Sequence, residues 1–231
     1  MNGVHDMGGE DGHGPVEGIH DDKQFHAAWE RQVLALTLAA GATGSWNLDQ
    51  SRHAREQLPP AYYLTAGYYR IWLAALEHLL VTHGLVTAEE LSGGAAVEPP
   101  RPDTPRLPAD KVRSALRSGS SVERDIGQQP LFTVGEAVIV RNLQPRGHTR
   151  LPGYIRGRRG RIARIHAAHV YPDSHAAGEG EQPRWLYNVC FEAAELWGDR
   201  CEKIHRSVMV DCWEPYLRPD PQSVSTHAER T

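Results

Sequence analysis

Three cysteines in 231 residues are too few for a disulfide scaffold. Cys190, Cys201 and Cys212 stand eleven residues apart. A thiolate metal site needs close spacing such as Cys-x-x-Cys, so that one loop presents two sulfurs to one ion, and no metal site is expected on this chain. The odd count favours a reducing compartment, and a cytoplasmic location is the expectation. Long apolar runs are also missing. The longest, Ile71 to Val81, is broken by Glu77 and His78, well short of the ~18 residues of a membrane span. The opening MNGVHDMGGEDGHGPVEG has neither a basic start nor an apolar core, so it does not read as a signal peptide. A net charge of −4 does not suit a chain that coats nucleic acid. No phosphate loop, nucleophile elbow or dinucleotide fingerprint occurs.

The sequence divides into segments of different character. Residues 1–20 hold Gly3, Gly8, Gly9, Gly12, Gly14 and Gly18 among acidic residues and cannot build a core of their own, so they read as a free tail or as an extended arm that orders on a partner. Residues 21–117 read as a helical domain. Phe25, Trp29, Val33 and Leu36 recur at helical spacing, a second helical stretch runs from Leu48 to Leu58, and Pro59-Pro60 stops it. The strongest helix is expected over 61–83, with Tyr69, Trp72, Leu73, Leu76 and Leu80 on one face and Gly84 as a left-handed cap. Thr87 to Glu90 reads as a capping box. Residues 92–108 form a proline-rich linker with five of the chain's 16 prolines, followed by a short helix from Ala109 to Leu116. Residues 118–131 are a second linker. From Phe132 the period changes: Val134, Val138 and Val140, Ile162 and Ile165, then Val189 and Phe191 alternate between glycines. That pattern suggests a small barrel or sandwich over 132–219, with a tail at 220–231. The fold class is α+β.

Thirteen histidines are many for this length, yet none falls into a metalloprotease spacing. His166 and His169 read as satisfied histidines near a strand end. The sharpest electrostatic feature is the run Arg141, Arg146, Arg150, Arg156, Arg158, Arg159, Arg161 and Arg164, with no acidic residue until Asp173. Three readings stand side by side: a nucleic-acid surface, a solvated strand face, or one or two arginines aimed at a buried anion. Only Tyr154 interleaves the run, which weakens the first reading. Arg52 lies one turn before Glu56, where an exposed ion pair is the default and a pocket-directed arginine the sharper alternative.

Taken in order, MNGVHDMGG, Leu58-Pro-Pro-Ala-Tyr-Tyr-Leu64, Tyr68-Tyr69-Arg-Ile-Trp72, Gly147-His-Thr-Arg150 with Tyr154-Ile-Arg-Gly157, Glu195-Leu-Trp-Gly198 and Asp211-Cys-Trp-Glu-Pro-Tyr-Leu217 resemble the beta subunit of nitrile hydratase. The resemblance implies a helical N-terminal part and a C-terminal SH3-like barrel. It also implies an alpha-subunit partner, in a heterodimer or a dimer of heterodimers. That partner carries a Cys-x-x-Cys-Ser-Cys loop holding iron(III) or cobalt(III), with two cysteines oxidised to sulfinate and sulfenate. The implied activity is hydration of nitriles to amides. By the same resemblance, Arg52 and Arg150 contact the oxidised sulfurs, Leu48, Tyr68 and Trp72 line the substrate channel, and Glu56 and His148 belong to an outer hydrogen-bond network. Two departures from the family pattern are Ile71, where several relatives have histidine, and Ser51, which replaces a common phenylalanine and implies a roomier pocket. No nucleic-acid or membrane partner is implied. The rivals are a thiocyanate hydrolase, in which the two halves of this chain are separate subunits, and a non-enzymatic RNA-binding SH3-like module.

Overall fold

A computed structural model describes residues 2–10, 13–15, 23–99, 101–198 and 206–222. Cys201, much of the expected arm and the end of the expected tail lie outside the described residues. The chain divides into two compact units, Gly3–Ser120 and a second formed by Ser121 onward together with Met1–Asn2.

The first unit is helical. Helix α1 (Ala28–Gly41) starts later than the spacing of Phe25 and Trp29 suggests. The Glu30 carboxylate reaches back to accept from the backbone N–H groups of His26 and Ala27, which fixes the start there. Helix α2 (Leu48–Glu56) opens on a full capping box, in which Asn47 and Gln50 exchange 2.9 Å bonds. The single helix expected over 61–83 is two. Helix α3 (Pro60–Thr65) begins with proline at its first position, and α4 (Tyr68–Thr82) follows after a break. Ala66 and Gly67 both take extended backbone conformations there, so the apolar face continues in sequence although the helix does not. Gly84 adopts the expected left-handed conformation, φ 62°. Helix α5 (Ala88–Gly93) carries the expected Thr87–Glu90 box. The Glu90 carboxylate also accepts from the N–H groups of Val97 and Glu98, which together with the Thr87 bonds holds its pKa down to about 2. The start of the proline-rich linker is therefore tied back to the helix before it. Helix α6 (Ala109–Ser118) runs two residues past the expected end. The core of this unit is small: Trp46, Ala54, Ala75, Leu76 and Leu79, with Ala40, Leu80 and Leu85 packed on it.

The second unit is a five-stranded antiparallel sheet in the order β4-β3-β2-β1-β5. Its strands are β1 (Ala137–Val140), β2 (Arg159–His169), β3 (Arg184–Glu192), β4 (Ser207–Trp213) and β5 (Leu217–Pro219). Among the described residues β4 and β5 are edges, so the sheet is not closed into a barrel. Val134 falls outside β1 and is exposed. Two register shifts on β2, between Ile162 and Arg164 and between Ile165 and Ala168, break the strict alternation read from the sequence. His166 and His169 lie on this strand and are satisfied there, by Asp211 and by the Ala167 carbonyl. Short helices α7 (Pro172–Ala176) and α8 (Ala193–Trp197) were not expected. The core gathers Val138, Val140, Ile162, Tyr187, Val189, Phe191, Cys212 and Tyr216. Each such large apolar side chain contributes about 1.5–3 kcal/mol when fully buried. Gly160 pairs with Val138, and a side chain there would collide with Val189 Cγ1 at 2.5 Å and Phe191 Cε1 at 2.9 Å.

Candidate active-site surfaces

In the helical unit the capped start of α2 fixes the direction of the residues that follow. Asp49, in the first turn, is 5% exposed. Its Oδ1 accepts a 2.9 Å bond from Nη1 of Arg52, whose side chain keeps 39% of its exposure. Arg52 therefore does not make the default pair with Glu56. The Glu56 carboxylate instead sits 3.8 Å from Nε2 of His5 and 3.7 Å from Nδ1 of His53, with its side chain largely buried. His5 also meets Tyr63 edge-on.

Leu48, on the same helix as Arg52, is exposed, as is Tyr68 at the start of α4. Tyr68 and Trp72 bring their rings to 5.5 Å, and Tyr69 packs against both. One residue of this cluster was missed in the sequence. The guanidinium carbon of Arg55 lies 4.1 Å from the Trp72 ring centroid, and its Nη2 donates to Ser51 Oγ at 3.1 Å. Ser51 is buried, and its hydroxyl accepts this bond. The spacings Asp49 to Arg52 and Ser51 to Arg55, three and four residues on a helix, carried the signal for both contacts.

In the sheet unit Arg150 is exposed while its neighbours are not: His148 is 3% exposed and Thr149 and Leu151 fully buried. A chain of hydrogen bonds pins this segment. The Leu151 N–H donates to the Thr149 hydroxyl, which donates to the Tyr216 hydroxyl at 3.1 Å, which donates to Asp173. The Arg150 N–H also donates to the Tyr216 oxygen, at 3.3 Å. Burial pushes the Tyr216 phenol far up, helped by the neighbouring carboxylate. Burial likewise raises Asp173, against the lowering effects of Tyr216, Thr149 and the nearby His148. Glu56 lies in the helical unit and His148 in the sheet unit.

The other arginines of the basic run have local work. Arg156 donates to Asn2, to Gln144 and to the Leu151 carbonyl, and Asn2 in turn donates to the Pro145 carbonyl at 2.7 Å. Arg159 meets Gln222 and Asp220. Arg158 and Arg164 are exposed.

The described cysteines cannot share an ion. Cys212 pairs across the sheet with Tyr187 and faces the core, whereas Cys190 pairs with Met209 on the opposite face. Burial also pushes the Cys212 thiol well above its ordinary pKa, away from the thiolate a metal requires.

Two family models match the chain: nitrile hydratase beta subunit, N-terminal, over residues 1–116, and nitrile hydratase beta subunit, C-terminal, over residues 121–219. The chain belongs to the nitrile hydratase beta-subunit family. The beta subunit of the low-molecular-weight cobalt-containing nitrile hydratase of Rhodococcus rhodochrous is 39% identical over 229 residues, covering 95% of this chain and 100% of that one. A nitrile hydratase beta subunit of Pseudomonas putida is also 39% identical, with the same coverage of both chains. The alpha subunit of a thiocyanate hydrolase from Thiobacillus thioparus is 32% identical over 66 residues, 29% of this chain and 52% of that one. The chain is thus an enzyme subunit, and nitrile hydratase relatives match it over a far greater length than the rival hydrolase does.

Proposed function

We propose that this chain works as the beta subunit of an alpha-beta nitrile hydratase that adds water to nitriles to give amides. The observation that carries the proposal is the match of both units, over residues 1–116 and 121–219, to nitrile hydratase beta subunits. The iron(III) or cobalt(III) is held by the alpha subunit, where it supplies Lewis-acid chemistry. The cobalt-containing relative speaks for cobalt.

Arg52 and Arg150 face the oxidised cysteine oxygens of that partner. A sulfinate or sulfenate oxygen buried at a subunit interface is costly unless paired, and a guanidinium stays charged and offers a planar fork. Asp49 anchors Arg52 through one nitrogen and leaves N–H donors for an oxyanion. Arg150 is exposed on a segment whose backbone is fixed on both sides. Leu48, Tyr68 and Trp72 line the substrate side, and Glu56 and His148 act further out. The exposed Leu36, Leu38, Leu48, Leu64 and Tyr68 give the helical unit the apolar surface that a permanent partner covers. The sheet unit is of the SH3-like kind, and the pair works in the cytoplasm as a heterodimer or a dimer of heterodimers.

Co-expression with a nitrile hydratase alpha-type chain tests the proposal. The complex should carry stoichiometric cobalt or iron and convert nitriles to amides. A metal-loaded complex that forms no amide overturns it.

A further inference from the structure

Arg55 is a half-buried cation without a counter-charge among the described residues. Among the described residues no carboxylate lies within ion-pair distance of it, and its Nε is buried without a hydrogen-bond partner. Its guanidinium lies over Trp72, and its Nη2 donates to the neutral Ser51 hydroxyl. The phenols of Tyr68 and Tyr63 and the cation of Arg52 are the other polar groups acting on it. A positive charge kept partly out of water and left unpaired is expensive unless an anion arrives to use it. The face on which it lies, Tyr68 and Trp72, is the face proposed above to meet the substrate.

We propose that Arg55 is a specificity-determining residue that selects nitriles bearing a carboxylate over neutral nitriles of the same shape. Trp72 holds the guanidinium plane from one side and Ser51 holds one of its nitrogens. The remaining donors then meet a carboxylate without first losing side-chain freedom. The aromatic rings beside it suit an aryl spacer between the carboxylate and the nitrile. This inference rests on the nitrile hydratase reading and on Tyr68 and Trp72 lining its pocket.

The test uses the metal-loaded alpha-beta complex with 3- and 4-cyanobenzoate, each compared with the tolunitrile of the same substitution pattern. The readout is the ratio of kcat/KM for the acid over its neutral twin. Arg55→Met should lower that ratio about 10- to 100-fold, the effect of losing a hydrogen bond to a charged group. Arg55→Lys should lower it less, and Ser51→Ala should lower it while keeping the charge. A ratio unmoved in Arg55→Met overturns the proposal. So does a ratio unmoved together with weaker subunit assembly, which would assign the cation to a carboxylate of the alpha subunit instead. If neither acid nor neutral twin gives amide, the nitrile hydratase reading fails on its own. Calorimetric titration of the same complexes with 4-cyanobenzoate then decides the inference separately. Binding by the parent complex that is lost in Arg55→Met supports the cation site, and no binding by the parent overturns it.

Discussion

The buried carboxylate of Asp49 holds Arg52 from three residues away, through a single 2.9 Å bond to one guanidinium nitrogen. The bond orients the arginine and leaves part of its fork unspent, the arrangement needed by a residue that serves a second partner.

Removing that hold should impair turnover without dissolving the complex. Asp49→Ala is expected to cut kcat about 10- to 100-fold, since a charge-assisted bond is worth roughly 1.5–3 kcal/mol and each ~1.4 kcal/mol is tenfold in rate. Asp49→Asn keeps an acceptor oxygen in place and should lose less. Steady-state kinetics with gel filtration of the complex checks this. Equal losses in both variants would point to a packing role for Asp49 alone.

Arg52→Lys and Arg150→Lys should each slow turnover roughly 10- to 100-fold while alpha and beta still associate, because lysine keeps the charge and loses the planar fork. Arg158→Lys serves as the control. It lies in the same basic run and its side chain is exposed, whereas Arg159 holds Gln222 and Asp220. Similar activity in all three variants would remove the oxidised cysteines as the target of Arg52 and Arg150.

Alkali should unfold this chain through its buried phenols. Burial raises Tyr216, Tyr171 and Tyr187 above the ordinary phenol value of about 10. The folded state then keeps protons that the unfolded state gives up. Their stabilising contribution is complete below about pH 10 and is lost as pH rises through the folded values. Denaturant unfolding between about pH 9 and 11 should show stability falling, with a shallower slope in Tyr216→Phe. That variant should also be less stable at neutral pH by about 1–3 kcal/mol, since Thr149 and the Arg150 N–H lose their shared acceptor. An unchanged alkaline slope would show that Tyr216 ionises normally in the folded chain.

Produced without its partner, the chain should carry no stoichiometric cobalt or iron. Cys190 and Cys212 face opposite sides of the sheet, and the second is a buried, protonated thiol. Elemental analysis of the purified chain decides it, and one equivalent of either metal would contradict the assignment of the ion to the alpha subunit.

Much of the helical unit could be read directly, because caps and stops are local. Asn47, Pro59-Pro60, Gly84 and Thr87 each act within a turn of their own position. The break at Ala66-Gly67 was hidden because the apolar face of Tyr69, Trp72 and Leu76 persists after it, and periodicity does not register a change of axis. The sheet was legible as alternation at Val189 and Phe191. It blurred along β2, where bulges shift the register. At the candidate site, residue types and motif order named Arg52 and Arg150. Their supports, Asp49 for one and the Thr149–Tyr216–Asp173 chain for the other, depend on burial, and in the second case on contacts spanning 67 and 43 residues. Arg55 was passed over because an arginine on a polar helix normally points to water, and only the packing of α4 puts Trp72 beneath it.

The glycines of the basic run set how this part of the chain can drift over generations. Exposed Arg158 and Arg164 can be exchanged at little structural cost. Gly157 requires a φ of 75° that L side chains rarely adopt, and Gly160 lies where even a methyl group would strike Val189 and Phe191. An alanine at Gly160 is expected to cost about 1–3 kcal/mol in overpacking. Lineages can therefore retune the charge of this surface freely while Gly157 and Gly160 stay fixed, and a large change in local charge need not signal any change in fold.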